Sequence, residues 1–77
     1  MYRIYAKEGC AHCTAIEKVL KMNNIPYKKF MLGEDFNKSQ FVNNFGESTF
    51  PRILDENANL IGGAKEMVTH LKETGSI

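Results

Sequence analysis

Residues 2–13 read YRIYAKEGCAHC and contain the signals that decide the fold. Residues 2–6 are rich in Tyr and Ile and predict a β-strand. Residues 7–9 predict a short turn, and a pattern with helical spacing begins soon after it. Two cysteines with C-x-x-C spacing therefore stand where a strand passes into a helix.

The rest of the chain predicts a small α/β domain. The predicted strands are Tyr2–Ala6, Tyr27–Leu32, Arg52–Asp55 and Ala58–Ile61, and the predicted helices are Ala11–Asn23, Phe36–Phe45 and Ala64–Thr74. The order is β-α-β-α-β-β-α. The first βαβ unit is expected to be a parallel pair with a right-handed crossover, and the closing hairpin is expected to be antiparallel. We therefore predict a four-stranded mixed sheet flanked by three helices, with helices on both faces.

Cap and turn residues set the predicted element bounds. Pro26 confirms the end of the first helix, Asp35 is predicted to cap the second, and Glu56-Asn57 is a candidate two-residue hairpin turn. In the first helix Glu17, Lys18 and Lys21 are predicted to face outward. The predicted core residues are Ile16, Val19, Leu20, Tyr27, Phe30, Leu32, Met67, Val68 and Leu71.

The composition is that of a single globular domain covering residues 1–77. Hydrophobic residues make up 43% and charged residues 25% of the 77, and ten basic against nine acidic side chains leave a net charge of +1. This balance predicts no nucleic-acid or membrane surface, and no apolar run reaches the roughly 18 residues that span a bilayer. Without an apolar leader after Met1, we expect a cytoplasmic product. We also expect a monomer.

The stretch Cys10-Ala11-His12-Cys13 predicts redox chemistry. Residues three apart at a helix start lie about 5–6 Å from each other, and a disulfide needs Cα atoms about 4.4–6.8 Å apart. The helix N-terminus stabilises a thiolate. Cys10 is therefore predicted to be the more exposed, nucleophilic cysteine, and Cys13 is predicted to resolve the mixed disulfide.

Two other interpretations of the cysteines stay open on the residues alone. The pair and two histidines, His12 and His70, form a possible ligand set for zinc. Against this, His12 lies between the cysteines, and the chain lacks a second motif with zinc-ligand spacing. The second interpretation is a pair of inert buried thiols, which the position at a strand–helix junction disfavours.

Four matches make the chain similar to the glutaredoxins, members of the thioredoxin-fold family. Lys7 stands three residues before Cys10, as in the family's Lys-x-x-Cys, and Cys13 completes the redox pair. Thr49-Phe50-Pro51 matches the family's Thr-Val-Pro, and Gly62-Gly63 matches the glycines before its last helix. The likeness runs nearly end to end, and in size the chain resembles glutaredoxins encoded by bacteriophages.

The resemblance implies a thioredoxin-like fold and a dithiol–disulfide oxidoreductase. Such an enzyme reduces protein disulfides and glutathione mixed disulfides, with glutathione as co-substrate and no metal. In many relatives the protein client is ribonucleotide reductase. An alternative is a glutaredoxin-like redoxin reduced by thioredoxin reductase. An alternative of another class is an iron–sulfur-binding dimer with one cysteine from each chain, against which the second cysteine, Cys13, argues.

The resemblance also implies roles for three residues near the cysteines. The Phe50–Pro51 peptide bond is expected to be cis, so that the Phe50 backbone pairs with a peptide-like substrate beside Thr49. Lys7 is expected to stabilise the thiolate and to meet a glutathione carboxylate. His12 stands where most glutaredoxins have Tyr, and we expect it to lower the pKa of the Cys10 thiol.

The segment Gly62-Gly63-Ala64-Lys65 is expected to form the glutathione end of the groove, with helix N-terminal amides that bind a carboxylate. Here the chain departs from the family, which has an Asp where Lys65 stands; Glu66 follows one place later. Lys65 therefore pairs with a glutathione carboxylate, or glutathione binds weakly. Gln40 is the expected polar groove residue of the second helix.

Overall fold

The computed structural model of the protein describes residues 1–77 and has the predicted element order. The strands are Tyr2–Ala6 (β1), Tyr27–Met31 (β2), Arg52–Leu54 (β3) and Leu60–Gly62 (β4), and the helices are Ala11–Met22 (α1), Lys38–Phe45 (α2) and Ala64–Glu73 (α3). None of the three helices has the length and hydrophobicity that crossing a bilayer requires.

The four strands form one mixed sheet in the order β2-β1-β3-β4, as predicted. β1 and β2 are parallel and place Tyr5 beside Phe30. β3 runs antiparallel to β1, with Ile4 opposite Ile53, and β4 runs antiparallel to β3. β1 is paired on both sides, by β2 and by β3, and leads directly toward the cysteines. An interior strand of the sheet therefore positions the N-terminus of α1.

One face of the sheet carries the aliphatic core. Side chains alternate along a strand, so Ile4 and Ala6 share this face while Tyr5 points to the other. Helices α1 and α3 contact each other over this face. Each fully buried Leu or Ile side chain contributes about 1.5–3 kcal/mol relative to exposure, which makes this cluster the main stabilising feature of a short chain. Its members are Ile4, Ala6, Cys13, Ile16, Leu20, Ile53, Met67 and Leu71.

The opposite face carries a continuous set of rings, which we call the aromatic layer: Tyr5, Phe30, Phe36, Phe41, Phe45 and Phe50. Tyr5 stacks on Phe30 with ring centroids 5.1 Å apart and meets Phe45 of α2 edge-on at 5.2 Å. Helix α2 therefore packs on this face, and the prediction of helices on both faces is confirmed. Aromatic pairs at these separations add about 0.5–1.5 kcal/mol to area burial.

The predicted start of the second helix is wrong by two residues. Asn37 caps α2: its side chain accepts the N–H of Gln40, and the Gln40 side chain accepts the N–H of Asn37, both at 2.8 Å. This reciprocal capping box satisfies two amides that a helix start leaves unpaired. Asp35 instead accepts the N–H of Met31 at 2.8 Å, and Phe36 lies before the helix in a bridge to the end of β2.

The predicted two-residue turn Glu56-Asn57 is also wrong, because five residues, 55–59, connect β3 and β4. The Asp55 carboxylate accepts the N–H groups of Asn57 and Asn59, both at 2.9 Å. These amides, with that of Asn59 first, lower the pKa of Asp55. An Asp side chain competes for backbone amides in this way and favours a wider turn. β4 consequently begins at Leu60, two residues later than predicted, and ends at Gly62, one residue beyond the predicted end.

The other differences are small. The strands β2 and β3 and the helices α1 and α3 each end one residue before the predicted end, as is usual where terminal residues fray. Tyr27, Phe30, Leu32, Val19 and Val68 are half-buried rather than fully enclosed. Glu17, expected to face outward, lies under β2: it accepts the Tyr27 hydroxyl at 2.8 Å, and its side chain is only 17% exposed.

Candidate active site

Cys10 is the N-cap residue of α1. Its backbone is extended, with φ −93° and ψ 106°, and its sulfur accepts the N–H of Cys13 at 3.2 Å. Its carbonyl accepts the N–H of Thr14 at 3.1 Å and so closes the first helical turn. The sulfur therefore lies at the positive end of the helix, where unpaired amides and the helix dipole favour a negative charge.

Cys10 and Cys13 are joined in a disulfide, with Cα atoms 5.2 Å apart. That Cα separation is within the range for disulfides, as the C-x-x-C spacing predicted. Cys10 is half-buried, whereas Cys13 is 5% exposed and belongs to the aliphatic core. The prediction that Cys10 is the more exposed cysteine is confirmed. Because Cys10 also lines a groove, the pair does not fit the interpretation as inert buried thiols.

The groove beside Cys10 has a volume of about 550 Å³. Five of the predicted site residues line it: Lys7, Cys10, His12, Thr49 and Phe50. The structure therefore brings together two segments that are far apart in the chain: residues 7–12, from the turn after β1 to the start of α1, and the loop before β3. A concave site of this size, with a few charged groups around apolar walls, is typical of a small-molecule or peptide site.

Seven further residues line the same groove and were missed from the sequence: Ala11, Leu32, Lys38, Phe41, Val42, Glu47 and Ser48. A signal for three of them was present. Lys38, Phe41 and Val42 have the i, i+3, i+4 spacing of one helix face. By contrast Gln40, the expected groove residue of this helix, belongs to the cap with Asn37 and does not line the groove.

The charged groups of the groove are mostly cationic. Lys7 and Lys38 contribute two ammonium groups, and Glu47 contributes one carboxylate. The Lys7 ammonium lies over the Phe50 ring, 5.5 Å from its centroid. His12 is exposed at the rim beside Cys10. This arrangement suits a substrate with negative charge near its reacting sulfur.

Thr49 and Phe50, from the loop before β3, line the groove, whereas Pro51 does not. The Phe50–Pro51 peptide bond is cis, as predicted, and Pro51 is buried. The Phe50 ring stacks on Phe41 with centroids 4.2 Å apart and an interplanar angle of 18°. The aromatic layer thus extends to the wall of the groove.

The Gly62–Lys65 segment does not line this groove. Gly63 donates its N–H to the Glu66 carboxylate at 2.8 Å, and this amide, first among the causes, lowers the pKa of Glu66. A Cβ on Gly62 would stand 2.8 Å from the Glu66 side chain, so glycine is required where Glu66 folds back. An internal carboxylate therefore occupies the Gly63 amide, while the binding of a glutathione carboxylate by this segment stays a prediction.

The two histidines of the zinc interpretation lie in different places. His12 lines the groove, whereas His70 packs edge-on against Tyr2, with ring centroids 5.9 Å apart, and lines another cavity with Lys65. No group of three or more His, Cys, Asp or Glu side chains is arranged to hold a metal ion.

A four-stranded mixed sheet with a C-x-x-C disulfide at the start of its first helix defines a dithiol protein of the thioredoxin fold. The chain matches the Glutaredoxin family model over residues 3–57 and belongs to the glutaredoxin family. The matched range includes the cysteines and Thr49-Phe50-Pro51. It ends before β4 and α3, the part that carries Gly62 to Lys65.

Solved structures confirm the fold. Glutaredoxin 1 from Francisella tularensis, complexed with cacodylate, is 24% identical, with a TM-score of 0.79 over 99% of this chain and 96% of that one. Reduced Escherichia coli glutaredoxin is 19% identical, with a TM-score of 0.78 over 99% and 98%. A buckwheat glutaredoxin–glutathione complex is 18% identical, with a TM-score of 0.72 over 97% and 70%. A comparison with curated protein sequences found no match.

Family membership and the disulfide together identify the chemistry of the site. Glutaredoxins are thiol–disulfide oxidoreductases, and this chain has their cysteine pair, Cys10 and Cys13, bonded at the start of α1. The protein is therefore a glutaredoxin with a dithiol redox centre.

Proposed function

We propose that this protein reduces glutathione mixed disulfides and protein disulfides, and that glutathione is its reductant. One observation carries the proposal: the Cys10 sulfur caps α1 at a groove that also holds the ammonium groups of Lys7 and Lys38. Glutathione has two carboxylates, and a buckwheat glutaredoxin of the same fold has been solved as a glutathione complex. The cationic groove supports the same ligand here.

The proposed reaction starts from the reduced dithiol. The Cys10 thiolate attacks one sulfur of the substrate disulfide, forms a mixed disulfide and releases the other sulfur as a thiolate that takes up a proton. With a protein substrate, the Cys13 thiol then loses its proton and attacks the Cys10 sulfur. This step releases the second substrate thiol and restores the disulfide of the present structure. Two molecules of glutathione return the pair to the dithiol and leave as glutathione disulfide.

The other family implications belong to the same proposal. We propose a monomer that acts in the cytoplasm, where thiols are kept reduced and a C-x-x-C pair can cycle. We propose a disulfide-containing protein as its client, with ribonucleotide reductase as the first candidate because it is the client of many relatives. Thr49 and Phe50 line the groove where such a client would lie.

One assay tests the reductant. Purified protein is given a small glutathione mixed disulfide, once with glutathione and glutathione reductase and once with thioredoxin reductase, each with NADPH. We expect NADPH consumption only with the glutathione system. Activity only with thioredoxin reductase would contradict glutathione dependence. A colourless, monomeric preparation is expected; a coloured dimer would support the iron–sulfur alternative.

A redoxin reduced by thioredoxin reductase is the second candidate, because one observation favours it. The Gly63 amide is occupied by Glu66, and Lys65 lines a cavity separate from the groove. Of the two alternatives for Lys65, this geometry favours weak glutathione binding over a Lys65–carboxylate pair. The two reductant systems of the assay separate the candidates.

A further inference from the structure

Phe50 contacts both the aromatic layer and a charged side chain of the groove, that of Lys7. Its ring stacks on Phe41 at 4.2 Å and lies 6.2 Å from Phe36, nearly parallel to both. The Lys7 ammonium lies over the same ring at 5.5 Å. Phe50 is therefore fixed by packing on α2 while it contacts a cation beside Cys10.

Lys7 has no carboxylate partner. The ion pairs of the protein are those of Lys21 and Lys29 with Glu17. A free Lys side chain samples many rotamers and loses conformational entropy when it is held. An aromatic ring attracts an ammonium group without neutralising it. The ring thus orients Lys7 and leaves its charge available to a substrate.

We propose that Phe50 is a positioning residue that sets substrate specificity: its ring holds the Lys7 ammonium in the groove, so that Cys10 reacts preferentially with disulfides carrying negative charge. The inference deepens the proposed function, because it needs attack by Cys10 on a disulfide. It does not need glutathione to be the natural reductant, and its test uses no glutathione.

The test compares two aryl disulfides, dithiobis(nitrobenzoate), which carries two carboxylates, and dithiodipyridine, which is neutral. Pre-reduced protein is mixed with each in a stopped-flow instrument. The Cys10 thiolate displaces one aryl thiolate and forms a mixed disulfide; Cys13 then gives up its proton, attacks Cys10 and releases the second aryl thiolate. The two electrons come from the dithiol. The ratio of the first rate constants, anionic over neutral, measures charge preference.

We expect Phe50→Leu to lower this ratio about three-fold, the size of an exposed cation–π contact, and Phe50→Tyr to preserve it because the ring is kept. Phe45→Leu is the matched control: it removes a ring of the aromatic layer that lines no part of the groove and should leave the ratio unchanged. Equal losses with both disulfides in Phe50→Leu would indicate packing alone and would overturn the proposal.

A double-mutant cycle assigns the effect to Lys7. Lys7→Met should lower the ratio at least as far as Phe50→Leu, and the double variant should lower it no further. A further fall in the double variant would show that Phe50 acts independently of Lys7, against the proposal. If Phe50→Leu does not fold, proton NMR of the unmodified protein decides: Lys7 εCH₂ resonances shifted upfield by the ring support the contact, and random-coil positions overturn it.

Discussion

The backbone N–H of Cys13 donates to the sulfur of Cys10 at 3.2 Å, so the two redox residues are also the two partners of a helix N-cap. A capping residue usually supplies an oxygen to this amide. Here the capping atom is the nucleophile itself. Because the amide favours a negatively charged acceptor, the same contact that starts α1 stabilises the thiolate form of Cys10.

Replacing the cysteines one at a time should separate their roles. Cys10→Ser removes the nucleophile and should reduce activity to the uncatalysed background on every disulfide. Cys13→Ser should retain turnover of glutathione mixed disulfides, where glutathione resolves the intermediate, but lose reduction of protein disulfides. Steady-state assays on both substrates measure this. Equal loss from both variants on the small substrate would contradict a monothiol route.

His12→Val should raise the pKa of the Cys10 thiol and make the couple more reducing. The prediction rests on the position of His12, which lines the groove beside Cys10, where its ring can donate a hydrogen bond to the thiolate. Removing it destabilises the reduced form, and each 1.4 kcal/mol of that loss lowers the potential by about 30 mV. Thiolate absorbance against pH and redox equilibration with glutathione measure the two quantities. Identical thiolate titrations would exclude an electrostatic role.

Lys65→Asp should leave the KM for glutathione mixed disulfides unchanged. Lys65 is exposed and lines a cavity with Glu66 and His70 rather than the groove of Cys10. Lys38→Gln is the informative comparison because Lys38 does line the groove, and its loss should raise KM for an anionic substrate. A lower KM in Lys65→Asp would mean that the natural Lys weakens a glutathione contact, and a higher KM would mean that it holds a carboxylate.

Tyr27→Phe should lower the free energy of unfolding by about 1–2 kcal/mol, because the Glu17 carboxylate loses its shortest hydrogen bond. The Tyr27 hydroxyl lies 2.8 Å from Glu17, which Lys29 also approaches at 3.3 Å. Urea unfolding measures the change. Tyr2→Phe is the matched control, since the Tyr2 ring packs on His70 and no hydrogen bond of its hydroxyl is present; an equal loss there would contradict the assignment.

The same pair predicts a pH dependence at both ends of the scale. Burial and the Glu17 contact raise the pKa of Tyr27 from 10.0 to about 12, so this contribution to stability is complete below pH 10 and lost between pH 10 and 12. Burial raises the pKa of Glu17, but the contacts from Tyr27 and Lys29 outweigh it and leave the pKa lowered. Its contribution is therefore lost as the pH falls through that lowered value. In Tyr27→Phe, the free energy of unfolding should depend less on pH than in the unmodified protein, both in the alkaline and in the acidic range.

Asn37→Ala should destabilise the protein by about 1 kcal/mol and loosen the start of α2. Asn37 caps the turn that carries Lys38 and, further along, Phe41 of the groove. We therefore expect faster amide hydrogen exchange in residues 38–41. Asn43→Ala, an exposed position of the same helix outside the capping box, is the control. Unchanged exchange in Asn37→Ala would mean that packing of Phe41 alone sets the helix start.

Local patterns in the sequence were enough for the elements and for the redox pair. The Tyr- and Ile-rich strand before Gly9, the helical spacing after Cys10 and the three-residue separation of the cysteines are each short-range features, and the structure has all of them. Where two local signals competed, the prediction failed. Asp35 and Asn37 are both good capping residues, and only the reciprocal bonds of Gln40 with Asn37 decide between them.

Tertiary structure decided which charged side chains share the groove. Lys38, Glu47 and Lys7 share it because the antiparallel pairing of β1 with β3 and the packing of α2 on the aromatic layer bring three loops to one end of the sheet. No local pattern encodes that meeting. Glu66 shows the same limit: it is exposed, as a surface charge should be, and its carboxylate also accepts the Gly63 amide because Gly62 and Gly63 leave room for it to fold back. Short-range sequence preferences determine the chemistry at Cys10, whereas long-range packing determines which charges a substrate meets there.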